Sequence, residues 1–273
     1  MPMKISYFQV DAFTGQQFSG NPAGVCILSE ALPDSVLQDI AMENNLSETA
    51  FVVRRQDHWD LRWFTPTVEM DLCGHATLAP AFVIIECLGQ AKDYVQFQSR
   101  SGLLTVTVKD DVFILDFPSR PASPCPILDE LVAGLGRPPK EVFKARDYLA
   151  VFESEDDIRA LQPEMATLSK LDCLGIIATA PGAKSDFVSR FFAPRAGVPE
   201  DPVTGSAHCT LIPYWSKRLC KTKLHALQLS KRGGEVFCAD LGNRVHIGGK
   251  AVLYLRGEID LKAGDWEALA KTS

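Results

Sequence analysis

The sequence has no dense block of basic residues, and its 28 Lys and Arg are outnumbered by 34 Asp and Glu. That balance argues against general affinity for nucleic acid or an anionic membrane, while leaving room for a small anion at a local site. Long apolar runs are missing too. The longest, Ala76 to Ile85, is too short to cross a bilayer. The opening Met-Pro-Met-Lys-Ile-Ser-Tyr-Phe lacks the apolar core and cleavage pattern of a secretory signal and leads directly into a strand. A soluble, cytoplasmic protein is expected. The eight cysteines stand singly, with no Cys-x-x-Cys and no metal-finger spacing, so they read as small buried hydrophobes in a reducing compartment rather than as metal ligands. There is also no Gly-x-x-x-x-Gly-Lys phosphate loop, no His-Glu-x-x-His helix and no Gly-x-Ser-x-Gly elbow, and nothing implies an organic cofactor or a metal.

What is present is a globular composition, 46% hydrophobic and 23% charged over 273 residues, long enough for two lobes of roughly 130 residues each. Short alternating runs predict strands at Ile5–Ala12, Ala23–Leu28, Thr49–Arg54, Asp60–Thr65, Tyr94–Ser99, Leu103–Val108 and Val112–Phe117. Val36, Leu37, Ile40 and Ala41 predict an amphipathic helix over Pro33–Glu43. The proline-rich stretch Pro118 to Pro126 can continue neither a helix nor a central strand. It places the boundary between an N-terminal lobe, 1–118, and a C-terminal lobe, 119–273, whose tail is free to pack back on the first. Beyond it the patterns predict a helix near Leu128–Leu135, and strands at Tyr148–Phe152, Cys173–Ala178, Phe187–Phe192, Leu227–Lys231, Glu235–Ala239, Arg244–Ile247 and Ala251–Arg256. Gly233-Gly234 and Gly248-Gly249 read as hairpin turns.

The two halves echo each other. Arg62-Trp63-Phe64-Thr65-Pro66 is matched by Arg190-Phe191-Phe192-Ala193-Pro194, and each is followed by an acidic loop and then by Gly-x-Ala: Gly74-His75-Ala76 and Gly205-Ser206-Ala207. Each Gly-x-Ala opens an apolar segment, the first helix running over about 75–89 and the second over about 206–219. A helix without a polar stripe must be enclosed by other structure. The expected fold class is therefore α+β, two similar lobes, each a barrel-like, mostly antiparallel sheet around a central apolar helix. Pro80 and Pro213 lie inside those helices and are expected to bend them.

Four strings carry a resemblance. Gly20-Asn21-Pro22-Ala23-Gly24-Val25, Leu46-Ser47-Glu48-Thr49-Ala50-Phe51, Asp71-Leu72-Cys73-Gly74-His75-Ala76-Thr77 and Glu200-Asp201-Pro202-Val203-Thr204-Gly205-Ser206-Ala207-His208 resemble, in order and spacing, the signatures of the phenazine-biosynthesis PhzF-like family. The resemblance implies the diaminopimelate epimerase-like fold with the active site between its lobes, cofactor-independent isomerisation of the kind known for trans-2,3-dihydro-3-hydroxyanthranilate, and a homodimer binding a small anionic metabolite.

Helix N-termini leave N–H groups without intrahelical partners and attract anions. Gly74 and Gly205 let a ligand approach that backbone, which would make an anion cradle without Lys or Arg; alternatively they only allow tight packing. Glu48 opens the strand Thr49–Arg54. A carboxylate partly desolvated at a strand mouth can shuttle a proton at working pH, whereas in isolation it would be an inert surface residue; the family's general acid/base matches this position. His75, Asp201 and Ser206 match family active-site positions, with capping or dipole roles as the alternatives. Asn21 reads as a turn-former. Cys73 falls where related two-base racemases place a thiol, but its second-half counterpart is Thr204, whose hydroxyl is a poor base, so Cys73 reads as a packing residue. The competing functions are an epimerase or dehydratase using Cys73, and a non-catalytic binder of small acids.

Overall fold

The structure, a computed structural model, describes residues 3–262. The described chain divides into two compact units: residues 3–18, 22–115 and 249–262 form the first, and residues 19–21 and 116–248 the second. The crossing at 115/116 falls just before the proline-rich stretch. The chain returns to the first unit at Gly249, so the strand Ala251–Leu261 belongs there. The physical reason is pairing: that strand runs antiparallel along the whole of β1 (Met3–Ala12), from Met3 opposite Leu261 to Ala12 opposite Ala251.

In the first unit, β2 (Asn21–Leu28) is followed by helix α1 (Asp34–Asn44) and β3 (Glu48–Arg54). β2 and β3 run parallel, as a helical crossover requires. The apolar stripe Val36, Leu37, Ile40, Ala41 covers Cys26, Leu28, Phe51 and Val53. β4 (Trp59–Phe64) pairs antiparallel with β3 and with the two-residue β5 (Glu69–Met70). Then comes α2 (His75–Phe82), followed by β6 (Tyr94–Ser99), β7 (Gly102–Lys109) and β8 (Val112–Pro118). β6 lies parallel to β4, and β6, β7 and β8 form an antiparallel meander.

The second unit opens with β9 (Ser123–Pro124), α3 (Asp129–Leu135) and β10 (Glu141–Lys144). β11 (Tyr148–Val151), the short helices α4 (Glu155–Arg159) and α5 (Met165–Leu168), and β12 (Ile176–Pro181) come next. β13 (Phe187–Ala193), β14 (Val198–Asp201), α6 (Gly205–Leu219), β15 (Lys223–Gln228), β16 (Gly234–Asp240) and β17 (Arg244–Gly249) complete it. Its ladders repeat the order of the first unit. β11 and β12 are parallel across a helical crossover, β13 is antiparallel to β12 and β14 and parallel to β15, and β15, β16 and β17 form a meander. Even the charged edge is repeated. Arg62 grips both oxygens of Glu69 at 2.7 and 2.8 Å and lies 5.0 Å over Phe64, while Arg190 grips Glu200 at 2.7 and 3.0 Å and lies 5.0 Å over Phe192.

Each unit is thus a mostly antiparallel sheet around one apolar helix. Every residue of α2 from His75 to Ala81 is buried. α6 buries Ala207 to Ile212 and Trp215, but Lys217 and Arg218 in its last turn are exposed, so its enclosure ends a turn before the helix does. The internal prolines are accommodated by one device used twice. Pro80 has no N–H for the carbonyl of Ala76 four residues back, and that carbonyl accepts from the indole Nε1 of Trp63 at 3.0 Å. Pro213 likewise frees the carbonyl of Cys209, which accepts from the backbone N–H of Arg120 at 2.8 Å. After Pro80 the helix loosens into a π-type turn over Val83–Cys87. α6 continues to Leu219 without a break.

Among the described residues no helix is long and apolar enough to cross a membrane. Gly248-Gly249 is not a turn: both residues end β17.

Candidate functional site

Glu48, Cys73 and His75 come together in the first unit. Glu48 is the first residue of β3, fixed in register opposite Ala23 of β2. His75 is the first residue of α2, and Cys73 lies just ahead of it. The helix start is held from two sides: Trp63 donates to the Ala76 carbonyl, and the Thr77 hydroxyl donates to the Cys73 carbonyl. The imidazole stands between thiol and carboxylate. Its Nδ1 lies 3.5 Å from Cys73 Sγ and its Nε2 lies 3.1 Å from Glu48 Oε2. The His75 side chain is 5% exposed and that of Glu48 15%.

Burial alone would lower the pKa of His75, but Cys73 and Glu48, on its two nitrogens, outweigh burial and raise it well above the usual histidine range. Burial and the Glu48 carboxylate push the Cys73 thiol up, against the opposing pull of His75. Cys73 is more than the packing residue its sequence context suggested, because its sulfur is one end of this row.

Glutamate, cysteine and histidine are also metal-ligand types, and one donor atom from each lies within 4.8 Å of the others. The geometry does not suit a shared ion. Thiol and carboxylate approach opposite nitrogens of the ring, and an ion takes only one of them.

Asp201, Gly205 and Ser206 cluster in the second unit, at the end of β14 and the start of α6. Thr204 is the N-cap residue and makes no side-chain cap bond; its hydroxyl donates to Asp201 Oδ2 instead, and its N–H donates to Gln228 Oε1 at 2.9 Å. Ser206 therefore does not cap the helix. Asn21 is fully buried, and its Nδ2 donates to Asp201 Oδ1 at 2.8 Å and to the Val203 carbonyl at 3.0 Å. It is a brace for the Asp201 loop rather than a simple turn-former. His208 Nδ1 donates to the Thr204 carbonyl at 2.8 Å, and burial lowers its pKa to about 4, so this ring is neutral.

Sequence reasoning missed Arg146. It assembled the second helix start without any cation, whereas Arg146 Nη2 donates to Ser206 Oγ at 3.1 Å and is gripped by the buried Asp147 at 2.8 Å. The only signal was the Arg146-Asp147 pair directly ahead of the strand at Tyr148, and charged pairs beside strands are too common to single out.

The two-lobed α+β architecture places the chain among diaminopimelate epimerase-like structures. A predicted epimerase from Pseudomonas aeruginosa shares the fold at a TM-score of 0.70 and 17% identity, over 93% of this chain and 99% of that one. Residues 10–126 and 136–257 match the family described as phenazine biosynthesis-like protein, PhzC-PhzF, and the chain belongs to that family. A P. aeruginosa protein named as an uncharacterized isomerase is 52% identical over 260 residues, covering 95% of this chain and all of the relative. A human phenazine biosynthesis-like domain-containing protein is 37% identical over 94% of this chain and 99% of its own length. The crystal structure of a PhzF-family protein from Enterococcus faecalis superposes with a TM-score of 0.92 at 48% identity, covering 94% of this chain and 99% of that one.

Proposed function

We propose that this protein is a cofactor-independent isomerase that moves a proton between carbons of a small, carboxylate-bearing substrate, with Glu48 as the general acid/base. The observation that carries the reading is the contact of Glu48 with His75 Nε2, at 3.1 Å and largely out of solvent. That contact puts a carboxyl group beside a ring that can exchange a proton with it. Glu48 takes a proton from a C–H bond, the electron pair of that bond shifts the adjacent double bond, and the same carboxyl group, after exchanging its proton with solvent, delivers one to the far carbon. Nothing is oxidised or reduced. Gly74 and His75 bind the substrate from the start of α2. The candidates in the second unit are Gly205, Ser206 and Asp201, with Asp201, braced by Asn21 and Thr204, suited to accept from a hydroxyl or amine.

The test is turnover in heavy water, with trans-2,3-dihydro-3-hydroxyanthranilate as the first compound tried because the family resemblance suggests it. Deuterium appears at the receiving carbon with the wild type, and Glu48→Gln slows this by about 10²-fold or more. Undiminished exchange in the variant removes Glu48 from its role.

A second reading is favoured by one observation, the Cys73 thiol 3.5 Å from His75 Nδ1: a Cys–His acid/base pair of the kind an epimerase uses. Alkylation separates the two. Inactivation by a thiol reagent, with substrate protecting, supports the epimerase.

A further inference from the structure

We propose that Gln228 is a positioning residue for the substrate site: acting through Thr204, it fixes the carboxylate of Asp201 at the junction of β14 and α6. Leu224, Ala226 and Gln228 share the buried face of β15, and Gln228 is 1% exposed at a place where an apolar side chain would pack. A buried amide costs free energy unless its donors and its acceptor are met. Here all are used, and all by residues 201–204. Nε2 donates to the Asp201 carbonyl at 2.7 Å and to Thr204 Oγ1 at 3.2 Å, and Oε1 accepts from the Thr204 N–H at 2.9 Å.

These bonds settle the direction of the next one. Turned over, the amide would set Oε1 against the Asp201 carbonyl and Nε2 against the Thr204 N–H, so only one orientation serves. In that orientation the Thr204 hydroxyl accepts from Gln228, and its single proton goes to Asp201 Oδ2. Thr204 stands at the N-cap position of α6, and with its hydroxyl so engaged it makes no side-chain cap bond. Asp201 Oδ1 is held from the other side by Asn21 Nδ2 at 2.8 Å. Arg232 secures the segment that carries Asn21, through the Ser19 and Gly20 carbonyls at 2.9 and 2.8 Å. Asp201 and Ser206 are partly exposed, while Val203, Thr204 and Gly205 between them are buried. The polar network beneath therefore sets where the Asp201 carboxylate stands, and Gln228 is its anchor in the sheet. This role deepens the isomerase reading and rests on it for Asp201 touching the substrate.

The test is a double-variant cycle in the full chain, read by NMR as solvent exchange of the Asn21 side-chain amide, which reports on Asp201 from the side opposite Thr204. Gln228→Met keeps the length of the side chain and loses its bonds; Thr204→Val keeps the shape and loses only the hydroxyl. Each should speed Asn21 exchange by at least about fivefold, the loss of one or more hydrogen bonds. Thr204→Ser, which keeps the hydroxyl, should restore the wild-type rate. Because Gln228 acts through Thr204, the double variant should exchange no faster than Gln228→Met alone. Unchanged exchange in Thr204→Val, or effects that multiply in the double variant, overturns the proposal; the first of these outcomes is readable even where Gln228→Met does not fold. In turnover, Gln228→Met should act mainly on KM and Glu48→Gln on kcat, and an effect of Gln228→Met on kcat alone also overturns it. The two readings fail separately. A linked cycle with no hydrogen exchange at any substrate carbon removes the isomerase and leaves Gln228 as the anchor of Asp201; exchange at a substrate carbon with an unlinked cycle does the reverse.

Discussion

His75 and His208 are both buried histidines on central helices, and their neighbours drive them in opposite directions. His75 meets a carboxyl group and a thiol, and its pKa is raised; His208 meets a carbonyl through Nδ1 and the ring of Phe187 at 6.0 Å, and burial wins. The second case has a measurable consequence. With a folded pKa of about 4 against roughly 6.5 unfolded, the unfolded chain takes up the proton first as pH falls. The contribution is intact above pH ~6.5 and is lost progressively towards pH 4, by about 3 kcal/mol. Urea unfolding at pH 7 and pH 4 should show His208→Asn losing less stability over that interval than the wild type by about this amount. Equal losses would mean the ring is not the group that titrates.

At the scale of elements, close packing sets the tolerance of each junction. Gly249 ends β17 against Phe13, a buried residue in the left-handed region at φ 61°. A Cβ added at Gly249 would lie 2.3 Å from Phe13 Cδ1, whereas one added at Gly15 meets nothing nearer than Lys250 at 3.8 Å. Gly249→Ala should cost about 1–3 kcal/mol and lower the melting temperature by several degrees, with Gly15→Ala staying within about 0.5 kcal/mol of the wild type. Strands with one wet face were legible in the sequence: Tyr94–Ser99 lies where its alternation put it, and Trp59–Phe64 is displaced by one residue. Two other strands were misplaced. β12 is buried along Ile176–Ala180 and was expected three residues early. β15 carries a buried Gln228 where the pattern called for an apolar residue, and it was expected four residues late. α4 was missed although Ser154 and Asp157 form a capping box, a signal that was in the sequence. Glu48, Cys73 and His75 could each be named from their strings. That the ring of His75 would separate the other two could not, because their meeting depends on the β2–β3 register and on Trp63 fixing α2.

For the whole molecule, the division into units does not follow chain order. The first unit needs Ala251–Leu261 beside β1, while the second is made of residues 116–248 and the short segment 19–21. A chain ending at Lys250 leaves β1, with its buried Ile5, Phe8 and Val10, without its neighbouring strand. It should lose the cooperative unfolding of the first unit while keeping that of the second. Hydrogen exchange followed by peptide mass spectrometry checks this: protection should fall across residues 3–115 and persist across 116–248, and uniform protection would refute it.

The pairing of the first strand with the last also orders events during synthesis. A ribosome releases residues from the N-terminus onward, so β1 must wait for nearly the full length of the polypeptide before Ala251–Leu261 emerges. The second unit can mature on the nascent chain before that strand is available to the first. A chaperone that shields an unpaired edge strand would matter most in that interval.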